Sequence, residues 1–353
     1  MRASEASYGN IGWSPFPPKF PPDLPASFSQ IHRRNHDHKK PNDLGRKLFP
    51  RQYHYHHGFT SAFGVFIPGV TPVFLDDDAL NVDDVENNTS HDLVVQEGKV
   101  AWEAIYPEGS WNPSNVPRGG FGLYIGGSDE FVEATAKGAD EVMLSYSVMF
   151  ESGFEWNKGG KLPGGYGGEG KEARGCSGGR QEERAACFDA RLMWRTNGTG
   201  ELYTYLPITE GNNASQAAVP GTVVDSSYGY SVGRGAFTWP SAEWVAVVER
   251  LKLNAIGKTN GEIDLWVEGK KVISLADVTL REEANATIQG FHFQTFFGGS
   301  TSDWASPKTQ KAWFADVSGA VISSGPGAPQ HNPNHSLQNT LVTSVYQPER
   351  TGR

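Results

Sequence analysis

The sequence lacks several features that define other classes of protein. No run of about eighteen apolar residues occurs, so an ordinary membrane-spanning helix is not expected. No apolar segment follows Met1, so no secretory signal peptide is visible. The Gly-rich stretches lack the GxxxxGK order of a phosphate-binding loop, and no fixed repeat period is present. Nucleotide-binding, solenoid and propeller proteins are therefore disfavoured.

Positive charge is in the minority. The chain has 31 Lys and Arg against 40 Asp and Glu, a net charge of −9. No nucleic-acid partner is expected, because the overall field repels phosphates. Residues 158–195 are a local exception with eight Lys and Arg against five Asp and Glu. That segment is compatible with a site for a small anionic group.

Glycine, proline and aromatic residues are abundant instead. The 42 glycines and 22 prolines disfavour a helical bundle, and aromatic residues make up 12% of the chain. Short aromatic and β-branched runs alternate with Gly, Pro or Asn clusters, which predicts an all-β fold, a two-sheet antiparallel sandwich of the β-jelly-roll type. The predicted strands are 100–106, 142–150, 187–195, 202–206, 244–253, 263–268, 271–274, 288–297 and 312–322.

Composition divides the chain into three parts. Residues 1–58 are rich in Pro and His and predict a flexible segment, for which metal or polyanion binding is the alternative. Residues 59–325 predict the jelly-roll domain, and 326–353 a flexible tail. The acidic stretch from Asp76 to Glu86 lacks the spacing of a calcium loop, so a solvated loop is favoured over a metal site.

Two features predict secretion. Cys176 and Cys187 are the only cysteines and are eleven residues apart, which favours a disulfide over two buried thiols. Glycosylation sequons add weak support for a secreted glycoprotein; they begin at Asn87, Asn88, Asn197, Asn213, Asn285 and Asn334.

The clearest local signal is the Asn197-Gly198 pair between two alternating runs, which is typical of a β-hairpin. If the apolar sets of both strands pack on the core, the loop has an odd number of residues and odd positions pair with odd positions. Arg191 then lies opposite or diagonal to Tyr203 and Tyr205. Such a polar, aromatic and cationic face suits carbohydrate binding, although an ordinary solvent-facing sheet surface has the same pattern.

The segments KGGKLPG, FDARLMWR, GELYTYLP, GFHFQTFFGGS and DWASPKTQKAWFAD resemble polysaccharide lyase family 14, which includes alginate and glucuronan lyases. The resemblance covers roughly residues 100–322 and implies a β-jelly roll. It also implies that Lys161, Arg191, Tyr203 and Tyr205 are catalytic. Where the family pattern has Ser, this chain has Asp189, an anion that would repel a uronate unless it paired with Arg191 or Arg195.

The implied chemistry is lysis of a uronic-acid polymer, in which the C5 proton leaves and the C4 glycosidic oxygen is expelled. Lys161 and Arg191 would neutralise the carboxylate as charge builds on it. Tyr205, assisted by Tyr203, would serve as base and acid. Further candidates for substrate binding are Lys158, Asp189, Arg195 and His292, although an exposed loop lysine and a core histidine are the plainer interpretations of two of them.

The sequence therefore predicts a secreted, monomeric polysaccharide lyase that acts on glucuronan or alginate, with no cofactor, no metal, no nucleic-acid partner and no membrane association. A non-catalytic carbohydrate-binding jelly roll is the alternative. A glycoside hydrolase with Asp189 and Glu201 as its carboxylates is a third reading. Glu249 interrupts the alternating apolar positions of the predicted strand 244–253. One interpretation is that its carboxyl group faces a cleft.

Overall fold

The computed structural model describes residues 42–323, apart from 178–179, 181 and 226–228. The described chain is built mainly of strands, which confirms the predicted all-β jelly roll. In chain order they are β1 (His56–Thr60), β2 (Val70–Pro72), β3 (Val82–Asp83), β4 (Leu93–Gln96), β5 (Lys99–Tyr106), β6 (Phe121–Ile125), β7 (Glu141–Phe150), β8 (Gly159–Glu169), β9 (Cys187–Arg195), β10 (Thr199–Tyr205), β11 (Val223–Asp225), β12 (Gly229–Thr238), β13 (Val245–Lys252), β14 (Gly261–Val267), β15 (Lys270–Val278), β16 (Ala286–Phe297) and β17 (Gln310–Ser323).

The strands form two sheets. The back sheet has the order β15-β14-β13-β7-β17-β1-β2, with β5 also paired to β17 and β4 paired to β5. The front sheet has the order β11-β12-β10-β9-β8-β16-β6-β3. Strands β1 and β2 pair in parallel. The main core lies between the sheets and joins Val247 and Leu251 of the back sheet to Leu192, Trp194 and Leu202 of the front sheet in one buried cluster.

Three α-helices are present in the described residues: α1 (Asn42–Leu48), α2 (Asp129–Ala136) and α3 (Glu210–Ala218). None of the described helices is long and apolar enough to cross a membrane. Helix α3 begins after Thr209, whose side chain accepts a hydrogen bond from the backbone amide of Asn212. This cap satisfies one of the free amides of the first turn.

Helix α1 lies inside the segment that composition predicts to be flexible. Leu48 and Phe49 are buried at its end and cluster with Val248 and Trp266 on the side of the back sheet turned away from the core. The prediction of a flexible segment therefore does not hold for residues 42–58, because a few apolar side chains suffice to anchor them. The other parts of the predicted flexible ends, 1–41 and 326–353, lie outside the described residues.

Each of the nine predicted strands overlaps an observed one, but the Gly-rich stretch after Lys158, which forms strand β8, is not among the predicted strands. Its glycines make room for neighbouring rings. A Cβ added at Gly160 would lie 2.1 Å from Trp194, and one added at Gly167 would lie 2.5 Å from Phe188. Low strand propensity is thus overridden by packing.

The β9-β10 hairpin has the predicted register. Tyr203 pairs with Arg191 and Tyr205 pairs with Asp189, across a connection of odd length. Asn197 at the turn has φ +61°, a left-handed conformation that Asn tolerates well. The predicted disulfide between Cys176 and Cys187 is also present and joins the start of β9 to the loop before it.

Candidate active site

Three neighbouring strands of the front sheet carry the four residues predicted to be catalytic, on the face turned away from the core. Tyr203 and Tyr205 lie on β10, Arg191 on β9 and Lys161 on β8. The register pairs Tyr203 with Arg191, and Lys161 with Met193 on β9. The four residues predicted to be catalytic therefore occupy one patch of the sheet. The first and last of them, Lys161 and Tyr205, are more than forty positions apart in the sequence.

Lys161 is buried beneath this patch, with 8% of its surface exposed. Its Nζ lies 3.2 Å from the ring centroid of Tyr203 and 5.2 Å from that of Tyr205. It also contacts the Sδ of Met193 at 3.1 Å. Burial, with the positive charges of Arg191 and Arg195, holds the Lys161 pKa well below its ordinary value. The environment consequently favours arrival of an anion beside this amine.

Arg191 is held by neutral groups. Its Nη1 donates to Oε1 of Gln294 at 3.0 Å and its Nη2 to the Gln294 carbonyl at 2.7 Å. Its Nε donates to the carbonyl of Leu162 at 3.4 Å. Gln294 is a residue that the sequence reasoning missed, although the alternation in GFHFQTFF puts it on the same face as His292.

Asp189 pairs with His292 rather than with Arg191 or Arg195, the two partners considered from the sequence. Its Oδ2 lies 2.8 Å from Nδ1 of His292, and its Oδ1 has no hydrogen-bond partner among the described residues. The imidazole stacks on Tyr124, with ring centroids 4.6 Å apart. Burial, followed by the charge of Arg191, lowers the His292 pKa against the opposing effect of Asp189. The pair is thus a fixed, buried acceptor-donor unit beside the cations.

Arg195 belongs to a second charged group at the edge of the patch. Its Nη2 lies 2.6 Å from Oε1 of Glu201, whose Oε2 also accepts from Arg234 at 2.8 Å. Ser231 donates to the same carboxylate. Burial alone would raise the pKa of Glu201, but the hydrogen bond and charge of Arg195, with Ser231 and Arg234, lower it. Glu201 is therefore an ionised structural partner, and the sequence reasoning missed Arg234.

Lys158 does not join the buried patch. It is 46% exposed and forms an ion pair with Asp303, which agrees with the plainer interpretation of an exposed loop lysine. The disulfide, in contrast, lies close to the tyrosines, because Cys176, Cys187, Met193, Tyr203 and Tyr205 form one buried cluster. Within the described ranges, no three His, Cys, Asp or Glu side chains form a group that could hold a metal ion.

The patch lies within a stretch that matches a known family. A family model described as Polysaccharide lyase 14 matches residues 95–317, more than half of the chain. The chain belongs to polysaccharide lyase family 14. It is therefore a polysaccharide lyase, and the matched range includes every candidate residue from Lys158 to His292.

Solved structures agree with this assignment. The lyase is similar to the marine PL-14 alginate lyase from Aplysia kurodai, with 31% identity, a TM-score of 0.59, and coverage of 67% of this chain and 89% of that chain. It also resembles the alginate lyase vAL-1 from Chlorella virus, with 24% identity, a TM-score of 0.55, and coverage of 69% and 93%. The second likeness concerns the fold alone. Among curated proteins, none matches the chain.

Proposed function

We propose that this lyase cleaves a uronic-acid polymer of the alginate or glucuronan type by β-elimination. The observation that carries the proposal is the position of two basic side chains, Lys161 and Arg191, directly beside Tyr203 and Tyr205, with no carboxylate among the described residues paired to either. The similarity to the Aplysia kurodai alginate lyase supports the same class of substrate.

In this reaction the cations act on the carboxylate of the sugar whose C5 proton is removed. Loss of that proton spreads negative charge onto the carboxylate, so a cation beside it stabilises the transition state more than the ground state. Lys161 supplies a compact point charge. Arg191 supplies a planar guanidinium group, which Gln294 holds in place. Because Lys161 and Arg191 are both buried, solvent screens their interaction with the developing charge only weakly.

The tyrosines supply the proton transfers. One tyrosine, as its phenolate, takes the C5 proton and becomes a phenol; the C4–C5 double bond forms as the C4–O bond breaks, and a neutral phenol gives its proton to the departing oxygen. Their ring centroids lie 5.3 Å apart, a spacing that is compatible with both tyrosines acting on neighbouring atoms of one sugar. The ammonium of Lys161 over the Tyr203 ring stabilises a phenolate formed there.

The surroundings of the two carboxylates near the site, Asp189 and Glu201, favour a lyase over a glycoside hydrolase. A hydrolase needs one carboxyl group as an acid and another as a base or nucleophile. Glu201 is enclosed by Arg195, Arg234 and Ser231, and Asp189 is fixed by His292. We assign Arg195 and the Asp189-His292 pair to substrate binding, at positions that flank the cations.

We also propose that the lyase is secreted and acts outside the cell as a monomer. The disulfide between Cys176 and Cys187 supports this location, because such bonds persist in oxidising compartments. Five of the six sequon asparagines lie in the described residues and are exposed: Asn87, Asn88, Asn197, Asn213 and Asn285. The location is tested by finding the protein, with its glycans, in the culture medium of its source.

The proposed reaction is tested by incubating the protein with polymannuronate, polyguluronate and glucuronan. Elimination creates a conjugated double bond, so ultraviolet absorbance should grow on at least one polymer, together with new reducing ends. New reducing ends without absorbance would instead identify a hydrolase. Absence of both signals on all three polymers would overturn the proposed substrate class.

A further inference from the structure

Glu249 is a buried carboxyl group that the proposed chemistry leaves unused. It lies on β13 of the back sheet, is 3% exposed, and shares a face with Val247 and Leu251 of the main core. Its side chain therefore points between the two sheets rather than into a cleft. A carboxyl group in such a place is costly unless it is hydrogen-bonded.

The partner of Glu249 is the backbone of β8, the strand that carries Lys161. Its Oε2 accepts a hydrogen bond from the amide of Gly165 at 2.7 Å. A Cβ added at Gly165 would lie 2.4 Å from Leu251 and 3.3 Å from the same Oε2, so only glycine leaves room for this contact. The side chain of Glu249 therefore crosses the core from the back sheet and binds β8 on its core-facing side.

Gly165 belongs to a β-bulge. The register of β8 against β9 shifts by one residue between Leu162 and Gly164, which leaves Pro163 as the extra residue. Positions five apart on a regular strand point to opposite faces. Because of the bulge, Lys161 and Tyr166 instead point to the same face, where Lys161 meets Tyr203 and Tyr166 meets Tyr124. Bulges of this kind re-aim side chains next to active sites.

A second residue of the back sheet binds the same bulge. The hydroxyl of Tyr146, on β7, donates to the carbonyl of Pro163 at 3.0 Å. Tyr146 pairs with Val247, two residues from Glu249. Two adjacent strands of the back sheet therefore bind the bulge region. Tyr146 donates to the carbonyl of Pro163, and Glu249 accepts from the amide of Gly165.

We propose that Glu249 is a positioning residue for the lyase reaction: it holds the Gly165 amide from inside the core and so keeps the bulge that aims Lys161 at the tyrosines. The inference rests on the proposed function, since the position of Lys161 matters only if the amine stabilises the reacting carboxylate. An apolar residue would leave the Gly165 amide buried without a partner, which the strand relieves by shifting its register or opening locally.

The test compares Glu249→Leu with Glu249→Gln, which keeps an acceptor oxygen. Glu249→Leu should lower kcat roughly 10- to 100-fold with KM changed less than about threefold, because a misplaced Lys161 loses transition-state stabilisation. Glu249→Gln should restore kcat to within about fivefold of the native value. Val245→Ala, on the same face of β13, is the matched control for core damage and should leave kcat unchanged.

Two further measurements keep the inference open to refutation. Hydrogen exchange of residues 159–169 should rise in Glu249→Leu and not in Val245→Ala, a result that stands even if the native protein cleaves no uronate polymer. If Glu249→Leu does not fold, Tyr146→Phe must lower kcat about fivefold or more. An equal loss in the Gln and Leu variants, unchanged exchange in the Leu variant, or full kcat in Tyr146→Phe would overturn the proposal.

Discussion

Two buried arginines, one in each sheet, have opposite surroundings. Arg250 on the back sheet is bound by three carboxylates: Glu141 at 2.5 Å, Glu262 at 2.7 Å and Asp264 at 2.9 Å. Arg191 on the front sheet is bound by a glutamine and by carbonyl groups. In the described part of the chain no carboxylate forms an ion pair with Arg191 or with Lys161, its neighbour across the sheet.

The pKa values reflect the same contrast. Burial disfavours the charged form of Arg250, but Glu141 and Glu262 more than compensate and raise its pKa. Burial lowers the pKa of Lys161, and Arg191 and Arg195 lower it further. The back sheet therefore neutralises its cations internally and gains a fixed structure. On the front sheet, Arg195 and Arg234 share Glu201, but Arg191 and Lys161 have no carboxylate partner among the described residues, and this difference is the basis of the proposed function.

The largest effect is expected from removing the front-sheet charge. Lys161→Ala should reduce kcat/KM by about 10³-fold, because a preorganised cation at the developing charge is lost. Ultraviolet assays on the preferred polymer measure this. Lys158→Ala removes a lysine of the same segment whose ion pair with Asp303 is exposed, and should retain activity within about threefold. Equal losses in the two variants would contradict the assignment of Lys161.

Removal of the back-sheet charge should affect stability instead. Arg250→Leu leaves three carboxylates without their shared partner, although Lys252 and Lys271 still contact Glu262 and Asp264. The free energy of unfolding should fall by about 3 kcal/mol, with kcat per folded molecule unchanged. Chemical denaturation measures the change. Lys308→Ala breaks an exposed pair with Glu155 and should cost less than about 1 kcal/mol. A selective loss of kcat in Arg250→Leu would remove the contrast between the sheets.

A smaller effect is expected where this chain departs from the family pattern. Asp189→Ser introduces the residue that the family resemblance implies and frees Nδ1 of His292. We expect kcat/KM to fall about tenfold, because the imidazole loses the partner that orients it. His292→Phe should give a similar loss, and the double variant should lose no more than either single one. Additive losses in the double variant would show that the two residues act independently.

The smallest expected effect is a fraction of a proton taken up on binding. Free Lys161 has a lowered pKa, and a bound carboxylate raises it, so binding draws a proton onto the amine. Affinity should therefore fall as pH rises from the pKa of the free enzyme to that of the complex. Calorimetry of Tyr205→Phe with oligouronate, in buffers of different ionisation enthalpy, counts the protons. Binding without uptake at any pH in this range would mean that Lys161 is already charged in the free enzyme.

Local patterns in the sequence anticipated much of the fold and the main part of the site. The alternation in 187–195 and the Asn197-Gly198 turn led to the observed pairing of Arg191 with Tyr203, because strand parity and an apolar core permit one register. The same logic missed β8, since six glycines in eleven residues carry no strand pattern of their own. Contacts in the folded protein explain several of them: the ring of Trp194 lies where a Cβ at Gly160 would be, that of Phe188 at Gly167, and Leu251 at Gly165.

The sequence by itself predicted the all-β class, the β9-β10 hairpin, the disulfide and the common face of Arg191, Tyr203 and Tyr205. These follow from residue type and from spacings of a few positions. Only the tertiary structure decided that Asp189 binds His292, that Gln294 holds Arg191, and that Glu249 supports the Lys161 strand from behind. The partners in those contacts are 84 or 103 residues apart, and they meet because sheet order, a bulge and the packing of two sheets bring distant strands together.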